Sequence, residues 1–143
     1  MSNMQSKQVI PFVPVSTAAS ATTTGNIDTL GFDYATIDVI LDTASATTAV
    51  IALKLSECDT TVVSSFADVS GAVGGTDFTL PVGPAATGTW GMKFNVDLRA
   101  RKRYLKLTIT PGTTAIVAAV ANLTKGDGPV NTTSANVKAL VEL

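Results

Sequence analysis

The feature that most constrains this chain is a period of two that returns in four separate runs. Ala35, Ile37, Val39 and Leu41 alternate with Thr36, Asp38 and Ile40, and Ala49, Ile51, Leu53 and Leu55 alternate with Val50, Ala52, Lys54 and Ser56. Further on, Trp90, Met92, Phe94, Val96 and Leu98 share one parity against Lys93, Asn95 and Asp97, and Leu105, Leu107 and Ile109 alternate with Tyr104, Lys106 and Thr108. Successive side chains of a strand point to opposite faces, so each run is a strand with one face on a core. The shared parity predicts Ile37, Val39, Ile51, Leu53, Leu55, Phe94, Val96, Leu105 and Leu107 as core. The first two runs, separated by the small residues of 42–48, read as a hairpin.

The remaining chain is consistent with this. Residues 9–15 carry Val9, Ile10, Phe12, Val13 and Val15 but also Pro11 and Pro14, which cannot donate to a central ladder, so they read as an extended arm or an edge strand. A polar Ala/Ser/Thr stretch over 16–25 is a linker or a surface strand. The region 58–84 is weaker in pattern: Val62 and Val63 start a strand, residues 66–69 make one helical turn, and Gly71, Gly74 and Gly75 mark a loop. Residues 116–123 form a further strand, 126–131 break the chain, and 137–143 are a last strand or ordered tail. Seven to nine short strands with turn signals between them predict an all-β chain. The expected architecture is a single antiparallel β-sandwich, jelly-roll or Greek-key-like, with an N-terminal arm over 1–25, the sandwich over 26–125 and a C-terminal strand or tail over 126–143.

Composition narrows the function. The 143 residues are 45% hydrophobic but 6% aromatic and 15% charged, so the apolar content sits in small and β-branched side chains. Such residues lose rotamer freedom in a helix and fit a pleated sheet. Charge this sparse, against roughly 25% in ordinary soluble domains, suits a surface packed against neighbours. The net charge of −1 speaks against a nucleic-acid partner. The absence of His removes the commonest general base and metal ligand, and the single Cys58 can form neither an internal disulfide nor a cysteine-based zinc site. No enzymatic activity, cofactor or metal is therefore expected. No apolar run approaches the roughly 20 residues of a membrane helix, and two prolines interrupt the only stretch that resembles a signal peptide.

The densest charged constellation is Asp97, Arg99, Arg101, Lys102, Arg103 and Lys106. Arginines offer directed donors to carboxylates, so Arg99, Arg101, Lys102 and Arg103 are candidates for docking on an acidic protein surface; the plainer alternative is a solvated corner in which Asp97 pairs with a neighbouring Arg. Val9, Ile10, Phe12 and Val13 are the apolar interaction candidates. Glu57, Asp59 and Asp68 lack the spacing of a calcium loop and read as turn residues. Gly71, Gly74 and Gly75 do not match a phosphate-binding loop. Trp90 shares its parity with Phe94 and Val96 and reads as core rather than as a sugar platform.

Three segments, FDYATIDVILDTA (32–44), AVIALKLSECD (49–59) and WGMKFNVDLRARKRYLKLTIT (90–110), together resemble the small proteins that tailed-phage genomes encode near the major capsid protein, taken as head decoration or cement proteins. The most specific elements are the run from Asp97 through Leu98, Arg99, Arg101, Lys102, Arg103 and Tyr104 to Leu105, and the opening Asp33-Tyr34-Ala35. The resemblance covers about half of the chain. It implies a virion structural protein on the outer capsid surface, made in the host cytoplasm, that binds the major capsid protein as a homo-oligomer, with a trimer favoured. The alternative is a carbohydrate-binding β-sandwich module on a virion or cell surface, which would need a row of exposed aromatics.

Overall fold

The computed structural model of the protein describes residues 5–43, 50–83, 88–125 and 137–143, with backbone alone for Thr43 and residues 137–140. Nine strands form two sheets: β1 (Gln5–Thr17), β2 (Thr23–Asp28), β3 (Tyr34–Thr43), β4 (Ala52–Cys58), β5 (Ala67–Val73), β6 (Gly88–Asp97), β7 (Tyr104–Thr110), β8 (Ala115–Lys125) and β9 (Val137–Glu142). The five-stranded sheet has the order β1-β8-β3-β6-β9 and the four-stranded sheet the order β2-β7-β4-β5. Their inner faces meet in one core, so the chain is an all-β sandwich. Single 3-10 turns at Val63–Ser65 and Leu98–Ala100 complete the regular structure of the described residues.

The core follows the parity read from the sequence. Ile37, Val39, Leu53, Leu55, Phe94, Val96, Leu105 and Leu107 are all buried, and Ala119, Ala121 and Leu123 continue the layer on β8. One member departs. Ile51 is 52% exposed while Val50 is buried, because residues 50 and 51 precede β4 and are held by loop hydrogen bonds, Val50 N–H to Pro81 and Ile51 N–H to Thr110. The strict alternation of the run starts only at Ala52.

Three further expectations are corrected. The runs 34–41 and 49–56 are not a hairpin: β3 pairs with β6 and β8 in one sheet, whereas β4 pairs with β5 and β7 in the other. The chain crosses between layers there, and alternation cannot distinguish that from a return beside itself. The sandwich is also not purely antiparallel, since β9 runs parallel to β6. Finally, the helical turn expected at 66–69 lies earlier, at Val63–Ser65, and Ala67 opens strand β5. The turn expected after Thr43 and the break expected over 126–131 fall outside the described residues.

The N-terminal segment is an edge strand. β1 pairs antiparallel with β8, with Val9 opposite Ala121, Phe12 opposite Ala119 and Val15 opposite Val117. Each of these steps advances three residues on β1 against two on β8, so one extra residue is accommodated beside Pro11 and another beside Pro14. Bulges at those positions take the residues that lack an N–H out of the ladder. Phe12 enters the core and Val9 packs against it. β1 also closes the side of the sandwich over β2: a Cβ on Gly25 would lie 2.4 Å from the Pro11 carbonyl oxygen, so only glycine permits this approach.

Candidate functional site

The basic corner is built where β6 ends. Leu98 is buried and begins the 3-10 turn, whose N-terminus is capped by Asp97 Oδ1 accepting the Arg99 backbone N–H at 3.1 Å. The turn leads the chain across to β7 in the other sheet, and the charged side chains surround it.

Each arginine of the corner meets a carboxylate of its own chain. The Arg99 guanidinium grips Asp97 with Nε donating to Oδ1 at 2.9 Å and Nη2 to Oδ2, and it stacks over the Tyr34 ring with its carbon 5.0 Å from the centroid. Arg103 makes a second two-pronged pair with Asp28, Nε to Oδ1 at 3.0 Å and Nη2 to Oδ2 at 2.8 Å, and covers Tyr104 at 4.8 Å. Arg101 Nη1 lies 3.8 Å from Glu57 Oε1, and Glu57 Oε2 accepts the Lys102 backbone N–H at 3.1 Å. Arg101 Nε is buried with no acceptor among the described residues, which fits the looser geometry of that pair. Lys102 is exposed.

The electrostatics agree with the geometry. The Arg103 guanidinium holds the Asp28 carboxyl at about 2, and hydrogen bonds from Arg99 hold Asp97 at about 2. The same bonds raise Arg99 and Arg103 further above the ordinary arginine value. Three arginines thus face three carboxylates from β2, β4 and β6, and these pairs make the corner an internal ion-pair network, with the Lys102 side chain outside it. The sequence placed only Asp97 in it. Asp28 and Glu57 arrive from 75 and 45 residues away, a distance no local pattern reports.

The apolar candidates separate by side. Val9 and Phe12 face inward, while Ile10 and Val13 are 55% and 65% exposed. Of the carboxylates considered for a cation, Glu57 serves the corner and Asp68 binds Lys54 Nζ and the Ser56 hydroxyl at 2.9 Å. The described residues hold no group of three His, Cys, Asp or Glu side chains arranged around a common point. Cys58 ends β4, buried, with its Sγ accepting the Thr60 N–H at 3.4 Å; the Thr60 hydroxyl first, and then that backbone contact, draw its thiol below the ordinary value.

Among the described residues, most aromatic rings are buried or covered on one side. Trp90 and Phe94 are buried, Phe78 packs edge-on against Phe94, Tyr34 and Tyr104 lie under Arg99 and Arg103, and Lys106 Nζ sits 4.5 Å above the Phe66 ring. A carbohydrate module binds through exposed rings, and the one large candidate, Trp90, belongs to the core.

No family model and no curated protein matches this chain. Among solved structures it is similar to the SPBc2 prophage-derived protein YomS, with 11% sequence identity over 87% of this chain and 97% of that one and a TM-score of 0.49.

Proposed function

We propose that this protein is a virion structural protein that decorates and stabilises the head of a tailed phage by binding the major capsid protein lattice from outside. It acts as a homo-oligomer, with a trimer favoured, and without enzymatic activity, cofactor, nucleic acid or membrane. The observation that carries this reading is that the reactive-looking groups are spent on one another. The corner arginines hold Asp28, Glu57 and Asp97, and Trp90 is buried, which leaves a two-sheet body whose exposed side chains include Ile10, Val13, Ile40 and Ile116 for contact with a partner. Such a body suits a scaffold that works by contact. The resemblance of residues 32–44, 49–59 and 90–110 to head decoration proteins supplies the partner. The test is a comparison of particles from the parent phage and from one lacking the gene. The expected result is loss of density on the outer shell and release of DNA at lower temperature; particles of equal density and equal heat resistance would overturn it.

A further inference from the structure

The outer face of the five-stranded sheet carries a contiguous apolar patch. Among the described residues, Ile10, Val13, Ile40 and Ile116 are 55%, 65%, 43% and 47% exposed, and strand register brings them together. Ile40 lies opposite Ala118, the Val13–Pro14 bulge borders Ala118 from the other side, and Ile10 stands beside Val120. Ile116 lies between Ser16 and Asp42 in the next row. None of these side chains is needed inside, because Phe12, Val39, Val117 and Ala119 fill the core from the same three strands. The patch is also close to neutral: Asp38 is paired with Lys93 at 3.4 Å, leaving Asp42 at the rim.

The size of the patch selects what it binds. Three strands about 4.8 Å apart, followed over three outward positions, span roughly 300 Å². That is well under half of the roughly 800 Å² per partner that a stable pairwise interface buries. Two free copies meeting on this patch alone would bind too weakly to persist. A homo-oligomer of the proposed kind, engaging several equivalent sites of a repeating surface at once, converts a weak contact into firm attachment, and a patch of this size is within the range that marks functional surface on a monomer.

We infer that this face of β1, β8 and β3 is the seat of the protein on the shell, and that its occupant is an apolar, uncharged area of the shell-forming subunit repeated across the lattice. The inference rests on the reading of the protein as a head component. It assigns attachment to Ile10, Val13, Ile40 and Ile116 and leaves the arginine corner out of it.

The experiment is co-sedimentation of the full chain with heads from a phage lacking the gene, using wild type, Val13→Lys/Ile116→Lys, and the milder Ile40→Thr. Wild type binds; the double variant loses affinity by about tenfold or more, and Ile40→Thr loses a smaller factor. Wild-type binding weakens little as salt is raised, since no charge pair is at stake. Circular dichroism checks folding, and if the double variant is unfolded, Ile40→Thr and Val13→Lys alone decide. A folded double variant that binds like wild type overturns the inference and leaves the head assignment standing. Failure of wild type to bind heads overturns the head assignment instead. A solution oligomer that the double variant takes apart assigns the face to copies of this chain and also overturns the inference.

Discussion

The outer faces of the two sheets are built on opposite principles. On the four-stranded sheet, the rows read Thr24, Thr108, Lys54; then Asn26, Lys106, Ser56, Asp68; then Asp28, Tyr104, Cys58. Most of the polar groups there have a partner. Ser56 and Lys54 share Asp68, Thr22 bonds Thr110 at 2.8 Å, Arg103 holds Asp28 and Lys106 covers Phe66. Several of these side chains, Ser56, Thr108 and Thr110, are buried although they point away from the core. The five-stranded sheet instead turns Ile10, Val13, Ile40 and Ile116 to solvent on its β1, β8 and β3 side. A face whose polar groups are mutually satisfied contributes to the stability of the isolated chain and has little left to give a partner. A face of unpaired apolar side chains contributes almost nothing to the free chain and gains by being covered. If attachment uses the apolar face, as proposed above, it and the polar pairing lie on different sheets.

That division can be broken most directly at Asp68. Asp68→Ala leaves the buried Ser56 hydroxyl without its acceptor and Lys54 without its carboxylate, and an orphaned buried polar group costs about 1–3 kcal/mol. Urea unfolding should show that loss while head binding by the folded protein is unchanged. A variant as stable as wild type would mean the polar face is not where the stability sits.

Acid tests the ion pairs directly, at Asp28 on the polar face and at Asp97, which ends β6 of the other sheet. Asp28 and Asp97 have folded-state values of about 2, below the roughly 3.9 of an unfolded Asp. The folded chain therefore binds fewer protons than the unfolded one over this range, so their contribution is complete at neutral pH and is lost as pH falls from about 5 towards 2. Asp68 is depressed in the same direction by Lys54 and Ser56. Thermal unfolding followed down this window should fall less steeply in Asp28→Asn/Asp97→Asn than in wild type; parallel curves would show that the ion pairs contribute nothing.

The smallest effect is expected from Arg101→Ala/Arg103→Ala. Both pairs are partly exposed, and such pairs are worth roughly 0–1 kcal/mol each. The melting temperature should shift by a few degrees at most, and head affinity and its salt dependence should not change. A flattened salt dependence with lower affinity would return the corner to the role of a docking site.

What the sequence alone determined is the side each strand residue faces. Alternation put Ile37, Val39, Leu53, Leu55, Phe94, Val96, Leu105 and Leu107 inside, because a strand's period is a local property of the backbone, and Trp90 followed from the same parity. The two prolines likewise confined β1 to an edge, since a missing N–H is local too. Only the tertiary structure decided which strands are neighbours. β3 and β4 lie in different layers, β9 joins β6 in parallel, and Arg103 finds Asp28 across 75 residues. The apolar patch belongs to this second class: Ile10, Val13, Ile40 and Ile116 look like scattered outward residues until the order β1-β8-β3 sets them side by side. Period fixes a face within a strand, but a surface is made by pairing between strands, and pairing depends on contacts that no short stretch of sequence contains.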